Sequence, residues 1–365
     1  MTDLAHMRAA LALARRRLGN TWPNPAVGCV IVKEGGIVGR GWTQPGGRPH
    51  AETEALSRAG FTAKGATAYV TLEPCSHHGK TPPCAEALIA AGVSRVVAAI
   101  EDPDPRVSGR GMKRLRDAGI AVETGLCTEE AAELNAGFFM RVKQGRPLVT
   151  LKLATSLDGR IATASGESRW ITSAAARERT HLLRATHDAV LVGTGTALAD
   201  DPQLTCRLPG LEHRSPVRVV LDRHLRLPAT LRLFTEAVDA PTWVVALPSA
   251  DPARRAALAD HGMKIIAAES DAAGGIDLAV LLRRLGDEGL TRLLVEGGGI
   301  LAAALLRLDL VDRLVWMRAP MIIGGDGIPA VAALDLGVLA NSPRFTLLSS
   351  ETAGGDLIET YRRAE

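Results

Sequence analysis

The feature that most constrains this chain is a set of potential metal ligands close together in its first quarter. His50 stands two residues before Glu52, and Cys75 follows Pro74 after a strand-like run, with Cys84 further on. One imidazole and two thiolates give Zn²⁺ three protein ligands and leave the fourth tetrahedral position to water, as in catalytic zinc sites. The fold must therefore bring three separate segments to one ion.

Glu52 is not needed as a ligand and is free to move protons at the bound water. The pattern H-x-E, P-C and C is typical of zinc-dependent base deaminases, in which activated water attacks an amine-bearing ring carbon. Two other interpretations stay open: ordinary buried thiols near an unrelated histidine, and a structural zinc with His77 or His78 as fourth ligand. A structural zinc has no use for a proton-carrying glutamate, so the pattern favours catalysis.

Composition excludes several classes of protein. The 365 residues predict two domains. Aromatic residues at 3% and a net charge of +3 argue against a nucleic-acid partner, since stacking platforms and broad phosphate binding both need more. Five cysteines, an odd number without a regular framework, fit a reducing compartment. No apolar run is long enough to span a membrane, and we expect a cytoplasmic protein.

Segments with strand and helix patterns alternate through the first 145 residues, which predicts a three-layer α/β/α domain. Both metal-binding ends fall at helix starts, because His50 precedes one helix and Pro82-Pro83 precede Cys84 in another. A helix N-terminus favours the thiolate that zinc needs. We expect strands over 26–32, 37–42, 66–72, 95–100 and 120–124, and helices over 1–18, 51–59, 84–91, 112–117 and 128–142.

A domain boundary is expected at Gly145, because Pro147 ends the preceding helix and a strand begins at once, giving domains 1–145 and 146–365. The second domain has a strand over 290–296 that delivers Gly297-Gly298-Gly299 to a helix, an arrangement suited to binding an anion. A glycine turn that only packs stays open. We discount a Rossmann unit, whose fingerprint would come earlier. Other expected elements are strands over 148–154 and 216–222, a helix over 174–185, and a strand over 188–196 ending in a glycine-rich loop.

Several runs resemble the bifunctional deaminase/reductase family of riboflavin biosynthesis, over essentially the whole chain. Eight residues separate Cys75 from Cys84, a spacing particular to that family, whereas most base deaminases have two. The matching runs in the first half are Pro23-Asn24-Pro25-x-Val27-Gly28, Gly39-x-Gly41, His50-Ala51-Glu52, Thr71-Leu72-Glu73-Pro74-Cys75-x-His77-x-Gly79-x-Thr81-Pro82-Pro83-Cys84 and Asp102-Pro103-x-Pro105-x-Val107-x-Gly109-x-Gly111. Those in the second half are Lys152-Leu153-Ala154-x-Ser156-Leu157-Asp158-Gly159, Gly193-x-Gly195-Thr196, Asp200-Asp201-Pro202-x-Leu204 and Val295-Glu296-Gly297-Gly298.

For the first half the resemblance implies a cytidine-deaminase-like domain with one zinc ion on His50, Cys75 and Cys84. Glu52 would be the general acid/base. The substrate would be a small phosphoribosylated diaminopyrimidinone that loses its ring amine. As hypotheses, Asn24 would bind the base, His77 a ribose or base edge, and Lys80 the phosphate.

For the second half the resemblance implies a dihydrofolate-reductase-like domain that uses NADPH to open the ribose to a ribityl chain, and a homo-oligomer. The expected NADPH contacts are Ala154, Trp170, Thr196, Asp200, Arg223, Gly298, Gly299, Ile300, Leu301, Ala302, Ala303 and Ala304. The expected substrate contacts are Ser168, Arg184, Leu204, Arg207 and Glu296. We assign packing or surface roles to His6, Cys29, Cys127 and Cys206.

Two other functions stay open. The first is a nucleotide or RNA-base deaminase whose second half only binds. The second is a zinc-stabilised, nucleotide-binding regulator without catalytic activity. The long segment between Cys75 and Cys84 counts against the former, and the glutamate of H-A-E counts against the latter.

Overall fold

The computed structural model describes residues 2–78, 82–105, 107–237 and 240–364. The chain divides into two compact units, Met1–Gly145 and Arg146–Glu365. Each unit has its own sheet and its own buried clusters.

The first unit is built on one five-stranded sheet in the order β2-β1-β3-β4-β5. Its strands are β1 (Gly28–Lys33), β2 (Gly36–Trp42), β3 (Thr67–Val70), β4 (Arg95–Ala98) and β5 (Ala121–Thr124). Its helices are α1 (Asp3–Arg15), α2 (Ala51–Ala59), α3 (Cys84–Ala90), α4 (Arg110–Asp117), α5 (Thr128–Leu134) and α6 (Ala136–Gln144). β1 runs antiparallel to β2 and β3, while β3, β4 and β5 are parallel.

Helices cover both faces of this sheet, because successive residues of a strand point to opposite sides. On β1, Cys29 and Ile31 join a cluster with Ala55 of α2 and Leu88 of α3. The intervening residue Val30 packs with α1 instead. The predicted three-layer α/β/α architecture is confirmed.

Two glycines of β2 bring α2 unusually close to the sheet. A Cβ added to Gly39 would lie 2.3 Å from the carbonyl oxygen of Ala55, and one added to Gly41 would lie 2.0 Å from that of Ala51. The helix backbone therefore rests directly on the strand. This contact fixes the start of α2, where the expected metal ligand His50 lies.

The expected single helix over 128–142 is wrong, because it is broken into α5 and α6 at Asn135. The buried side chain of Asn135 accepts a hydrogen bond from the backbone N–H of Ala26 (3.0 Å) and donates one to its carbonyl oxygen (3.1 Å). Asparagine is a weak helix former whose amide competes for backbone partners. Here that partner lies far away in the sequence.

The second unit contains a nine-stranded sheet in the order β11-β10-β9-β8-β12-β6-β13-β16-β15, and the pair β14-β7. The strands are β6 (Leu148–Thr155), β7 (Arg160–Ala162), β8 (Ala189–Gly193), β9 (Val217–Leu221), β10 (Thr242–Ala246), β11 (Lys264–Ala267), β12 (Arg292–Val295), β13 (Arg313–Arg318), β14 (Ile328–Pro329), β15 (Phe345–Ala353) and β16 (Asp356–Arg363). The helices are α7 (Ala174–Ala185), α8 (Thr194–Asp200), α9 (Arg232–Thr235), α10 (Pro252–Asp260), α11 (Leu278–Asp287) and α12 (Gly299–Arg307).

The strands from β11 to β13 in this order are parallel, and β16 and β15 close the sheet as an antiparallel hairpin. In parallel sheets the residues that follow the strands meet at the carboxyl edge, where ligands bind. The expected glycine-rich loop after β8 is wrong. Residues from Thr194 onward form the first turn of α8, and the Thr194 hydroxyl donates to the carbonyl of Leu221 (2.5 Å).

Within the described ranges, no helix is both long and apolar enough to cross a lipid bilayer.

Candidate metal centre and active-site cavity

The structure brings the three expected zinc ligands of the first unit together. Their donor atoms all lie within 4.8 Å of one another. His50 Nδ1 lies 3.2 Å from the Cys84 sulfur and 3.6 Å from the Cys75 sulfur. A nitrogen and a sulfur bound to the same tetrahedral Zn²⁺ are about 3.5 Å apart, given the usual Zn–N and Zn–S distances. The donor set and its spacing fit zinc.

Two helix starts place these ligands, as the prolines and the H-A-E run predict. His50 is the residue before the first turn of α2, and Cys84 is the first residue of α3, directly after Pro83. The backbone N–H of Cys84 also donates to the Cys75 sulfur over 3.3 Å. The partial positive charge of two helix N-termini therefore faces the thiolates.

Protonation in the metal-free chain follows from these contacts. The Cys84 thiol and N–H and the His50 ring all donate to Cys75, and they hold the pKa of Cys75 well below its ordinary value. The hydrogen bond to Cys75 raises the pKa of His50, while the same thiol contact and burial raise that of Cys84. Zinc needs neutral histidine and thiolates, so its binding must release protons.

Glu52 is the buried acid of this centre, with 3% of its surface exposed. Burial raises the pKa of Glu52 to about 7, although His50 and a hydrogen bond with Cys84 oppose the shift. A carboxyl group with a pKa close to neutral can both take up and release a proton, which is the requirement for general acid–base catalysis.

The expected substrate contacts of the first unit, and the alternative fourth ligand His78, are not gathered around the three metal ligands. His77 is exposed, and His78 pairs with Glu86 over 3.5 Å, so neither joins the three ligands in the described part of the chain. The half-buried Asn24 packs against Gly47, where an added Cβ would lie 1.9 Å from its amide nitrogen. Lys80 lies outside the described residues.

The second unit has a cavity of about 470 Å³ next to the carboxyl ends of β6 and β12. Helix α7, helix α8 and the segments 168–172 and 200–207 complete its wall. Ten of the expected residues line it: Ala154, Ser168, Trp170, Arg184, Thr196, Asp200, Leu204, Arg207, Glu296 and Gly298. The sequence therefore located ten of the 25 residues of this wall, and these ten come from six separate segments.

An ion pair between Arg184 and Glu296 dominates the charge in the cavity. Two guanidinium nitrogens of Arg184 donate to the two carboxylate oxygens over 2.6 and 3.0 Å, and a third donates to the Thr205 carbonyl over 3.0 Å. Burial alone would raise the pKa of Glu296, but Arg184 holds it below its ordinary value. The carboxylate is therefore a fixed anion.

Trp170 gives the cavity an exposed aromatic surface. It is 67% exposed, and the guanidinium of Arg177 lies over its ring at 4.3 Å. An indole face held in this way can pack against a planar ring of a ligand. Leu204 is buried and has a φ of 56°, an uncommon backbone conformation for a branched residue that is typical of functional sites.

Other expected cofactor contacts do not line the cavity. Arg223 is exposed and donates to the carbonyl of Gly274 over 3.0 Å. In α12 the side chains of Leu301, Ala302 and Ala303 belong to the core, and the N–H of Ala302 already bonds to Gly298 within the helix. Gly299, Ile300 and Ala304 are also absent from the cavity wall. What α12 offers an anion is thus the free N–H groups of its first turn.

Lys152 is a cavity residue to which no role was assigned from the sequence. Burial lowers its pKa, and the nearby Glu296 carboxylate opposes that shift. The sequence did contain a signal for this residue, a lysine inside the otherwise apolar strand Leu148–Thr155. Burying an unpaired charge costs free energy, so such a lysine indicates a partner or a ligand. His181 was also missed; its Nδ1 lies 3.1 Å from the Thr205 carbonyl.

Comparison with known families agrees with this division. Residues 1–100 match the cytidine and deoxycytidylate deaminase zinc-binding region, and residues 147–358 match the RibD C-terminal domain. The riboflavin biosynthesis protein RibD of Escherichia coli is 45% identical over 373 residues, which cover 98% of each chain. That of Aquifex aeolicus is 42% identical and covers 99% of this chain and 98% of its own.

Solved structures agree as well. RibD of Acinetobacter baumannii superposes with a TM-score of 0.89 at 41% identity, covering 100% of this chain and 99% of its own. A diaminohydroxyphosphoribosylaminopyrimidine deaminase/5-amino-6-(5-phosphoribosylamino)uracil reductase of Thermotoga maritima superposes with a TM-score of 0.86 at 36% identity, covering 99% and 98%. These similarities extend over both units.

Proposed function

The chain belongs to the RibD family of bifunctional riboflavin-biosynthesis enzymes, and we propose that its two units catalyse that family's two consecutive reactions. The first unit deaminates 2,5-diamino-6-(5-phosphoribosylamino)pyrimidin-4-one. The second uses NADPH to reduce the ribosyl group of the product, 5-amino-6-(5-phosphoribosylamino)uracil, to a ribityl group.

In the deaminase reaction the protein holds the metal and moves protons. His50, Cys75 and Cys84 would bind Zn²⁺, which supplies Lewis acidity toward a water molecule when bound. As water forms a C–O bond to the ring carbon, Glu52 would take one of its protons and deliver it to the ring nitrogen. Glu52 would then carry the second proton from the new hydroxyl to the amine, which leaves as ammonia when the C–N bond breaks. Its buried position and raised pKa support this role. Asn24 orients the base; His77 and Lys80 contact ribose and phosphate.

In the reductase reaction the protein mainly positions two ligands. NADPH supplies the hydride when bound, and Trp170, Ala154, Thr196, Asp200 and Gly298 form its expected side of the cavity. Arg223 and residues 299–304 are the other proposed NADPH contacts. The first turn of α12 would bind an anionic group of the cofactor through its backbone N–H groups.

The substrate side is formed by Ser168, Leu204, Arg207 and the Arg184–Glu296 pair. Arg207 is exposed, with one nitrogen bonded to Gln203, so its other donors can reach a sugar phosphate. Glu296 can accept hydrogen bonds from sugar hydroxyls without changing its charge. Lys152 adds a second, partly buried cation beside this carboxylate.

The observation that carries the proposal is the convergence of His50, Cys75 and Cys84 beside the buried Glu52. The test is a coupled assay with zinc-loaded protein and the phosphoribosylated diaminopyrimidinone, followed by its ultraviolet spectrum before and after NADPH is added. Deamination followed by NADPH oxidation is expected. Deamination alone would leave only the first half of the proposal. No spectral change would favour a deaminase of another base.

A homo-oligomer is part of the proposal. β15 ends the nine-stranded order, and its outer edge pairs with no strand in the described part of the chain. Leu347 and Leu348 on this strand are 51% and 43% exposed. A long edge strand with exposed leucines favours pairing with a second copy. Light scattering should give a multiple of 38.5 kDa that falls in Leu347→Lys/Leu348→Lys protein; an unchanged mass would rule out this edge.

A cytoplasmic location is also proposed. Cys75 and Cys84 must stay reduced to bind zinc, and none of the five cysteines forms a disulfide. A reducing compartment meets that requirement.

A further inference from the structure

A second buried glutamate of the first unit, Glu73, has no part in the chemistry proposed above. It lies two residues before the ligand Cys75 and is 4% exposed. Its carboxylate accepts hydrogen bonds from the backbone N–H groups of four residues. One oxygen accepts from Asp102 (3.3 Å) and Gly109 (2.9 Å), and the other from Gly111 (2.9 Å) and Met112 (3.3 Å).

These donors belong to one loop and the helix that follows it. Gly109 precedes α4, and Gly111 and Met112 are in its first turn, where backbone N–H groups have no partner inside the helix. A carboxylate at this end satisfies those groups and complements the helix dipole. Glu73 therefore attaches the start of α4 to the segment that carries the zinc ligand.

The same helix presses on the peptide next to the ligand. A Cβ added to Gly111 would lie 1.9 Å from the carbonyl oxygen of Pro74, the residue before Cys75. On the other side of Glu73, its own N–H donates to the carbonyl of Ile100 over 3.0 Å. The backbone leading into Cys75 is thus fixed by the segment after β4, by the start of α4 and by the Glu73 side chain.

We propose that Glu73 is a positioning residue for the metal centre, which acts on zinc affinity by fixing the backbone before Cys75. The sulfur of Cys75 must meet His50 and Cys84 at metal-ligand spacing, so a displacement of a fraction of an ångström there weakens the site. The inference gives a role to the run from Asp102 to Gly111, which the deaminase chemistry does not use. Like a hydrogen-bond partner of a metal ligand, it orients without touching the ion.

The test is zinc affinity in the full-length chain, measured by competition with a chromogenic chelator. Glu73→Gln keeps the shape but turns an NH₂ group toward two of the four N–H donors. We expect its zinc dissociation constant to rise about 10- to 100-fold, as for the loss of outer partners at other metal sites. Gly111→Ala, which displaces the Pro74 carbonyl while leaving the carboxylate intact, should change the affinity in the same direction.

Glu101→Gln is the matched control, because Glu101 is exposed and accepts a hydrogen bond from the Ser108 hydroxyl over 2.9 Å, away from the metal ligands. It should bind zinc like the unmodified chain. Cobalt substitution gives a second readout, since its visible bands report ligand geometry and should shift in Glu73→Gln. The reductase rate of the same chain reports general folding and should not change.

The inference rests on the zinc-dependent part of the proposed function, and the outcomes separate the two. An unmodified chain that binds no zinc would remove the function itself. Unchanged affinity and cobalt bands in Glu73→Gln would overturn only the role of Glu73. A parallel loss of reductase rate would also overturn it, because Glu73 would then support the whole chain; Glu73→Asp, with its charge kept, should retain more zinc than Glu73→Gln.

Discussion

The two units each bury a glutamate at the proposed active site, and the two carboxyl groups are held in opposite states. Glu52 forms no ion pair with an arginine among the described residues, and burial raises its pKa to about 7. Glu296 is largely buried, with 8% of its side chain exposed, but the bidentate contact with Arg184 keeps its pKa low. The first residue can exchange a proton near neutral pH, whereas the second remains a fixed negative charge.

This difference separates two ways of building a site. The reaction proposed for the first unit needs a group that changes its charge, and the buried carboxyl next to the metal ligands has a pKa that allows this. The second unit mainly has to hold a sugar and a dinucleotide in the correct relative position. Its Glu296 carboxylate is therefore paired with the Arg184 guanidinium and keeps a constant charge. Burial alone therefore does not identify a catalytic acid. Whether a buried carboxyl has a raised or a lowered pKa depends on the charge of the side chain beside it.

The largest expected effect is that of Glu52→Gln. The amide cannot carry the proton, so deamination should fall about 10²- to 10⁴-fold. Zinc content and the reductase rate should stay unchanged, because the three ligands and the second unit are untouched. Metal analysis and the two halves of the coupled assay check this. Near-normal deamination would remove the distinction drawn between the two glutamates.

Glu296→Gln tests the other half of the comparison. It leaves the buried Arg184 without its counter-charge, so the second unit should lose about 3–5 kcal/mol of unfolding free energy, and reductase activity with it. Deamination should persist. Glu351→Gln, at an exposed pair with Arg179, is the control and should cost less than about 1 kcal/mol. Calorimetry measures both; equal effects would mean that the buried pair has no special importance.

Lys152→Met replaces a partly buried cation of the cavity by an apolar side chain of similar length. If Lys152 donates to a charged or polar ligand group, its loss should lower reductase kcat/KM about 10- to 100-fold, corresponding to one charged hydrogen bond of about 1.5–3 kcal/mol. Thermal stability should be kept or increased, because burial disfavours the charge. An unchanged kcat/KM would place Lys152 outside the reaction.

The smallest expected effect is a pH dependence of stability in the second unit. The Nδ1–H of the buried His187 donates to the Leu183 carbonyl (2.7 Å), and its Nε2 lies 2.9 Å from the Thr150 hydroxyl. Burial lowers the pKa of His187 to about 3, from 6.5 in the unfolded chain. Its contribution is full above pH 6.5 and is lost as the pH falls toward 3.

Between pH 7.5 and 5 this loss amounts to about 2 kcal/mol. Glu52 in the metal-free first unit has the opposite sign: its raised pKa makes its contribution full below pH 4.5 and lost as the pH rises through 7. Calorimetry of metal-free protein against pH would measure both. His187→Gln should flatten only the acid-sensitive transition, and an unaltered slope would reject the assignment.

Local sequence signals predicted the metal centre well. His50 and Cys84 lie where a loop meets a helix, marked by the H-A-E run and by prolines, and Cys75 follows Pro74 in the loop after β3. The start of α7 was equally readable, and Ser173 caps it through the N–H of Ala176. The three-layer fold and the dihydrofolate-reductase-like class are confirmed. These features depend on residues close together in the chain.

What could not be predicted depends on distant partners. Asn135 breaks a helix because it bonds to Ala26, and nothing near Asn135 shows this. The four donors to Glu73 come from a later loop, so its role was also invisible. The hairpin of β15 and β16 was not assigned, although Gly354-Gly355 between two strand-like runs was a usable signal. The sequence also could not show that Leu301, Ala302 and Ala303 of α12 are buried, because exposure within a helix depends on what covers it.

The glycines of β2 also bear on how this enzyme could change over time. Gly39 and Gly41 leave no side chain between the strand and α2, and a larger residue at either position would collide with the backbone of the helix. Substitutions there cannot make small adjustments to the orientation of the helix that follows His50. Variation that alters the pyrimidine accepted must therefore arise in the surrounding loops, while the frame beneath them stays constant. An engineer who wants a new deaminase specificity from this chain should diversify those loops and leave the strand alone.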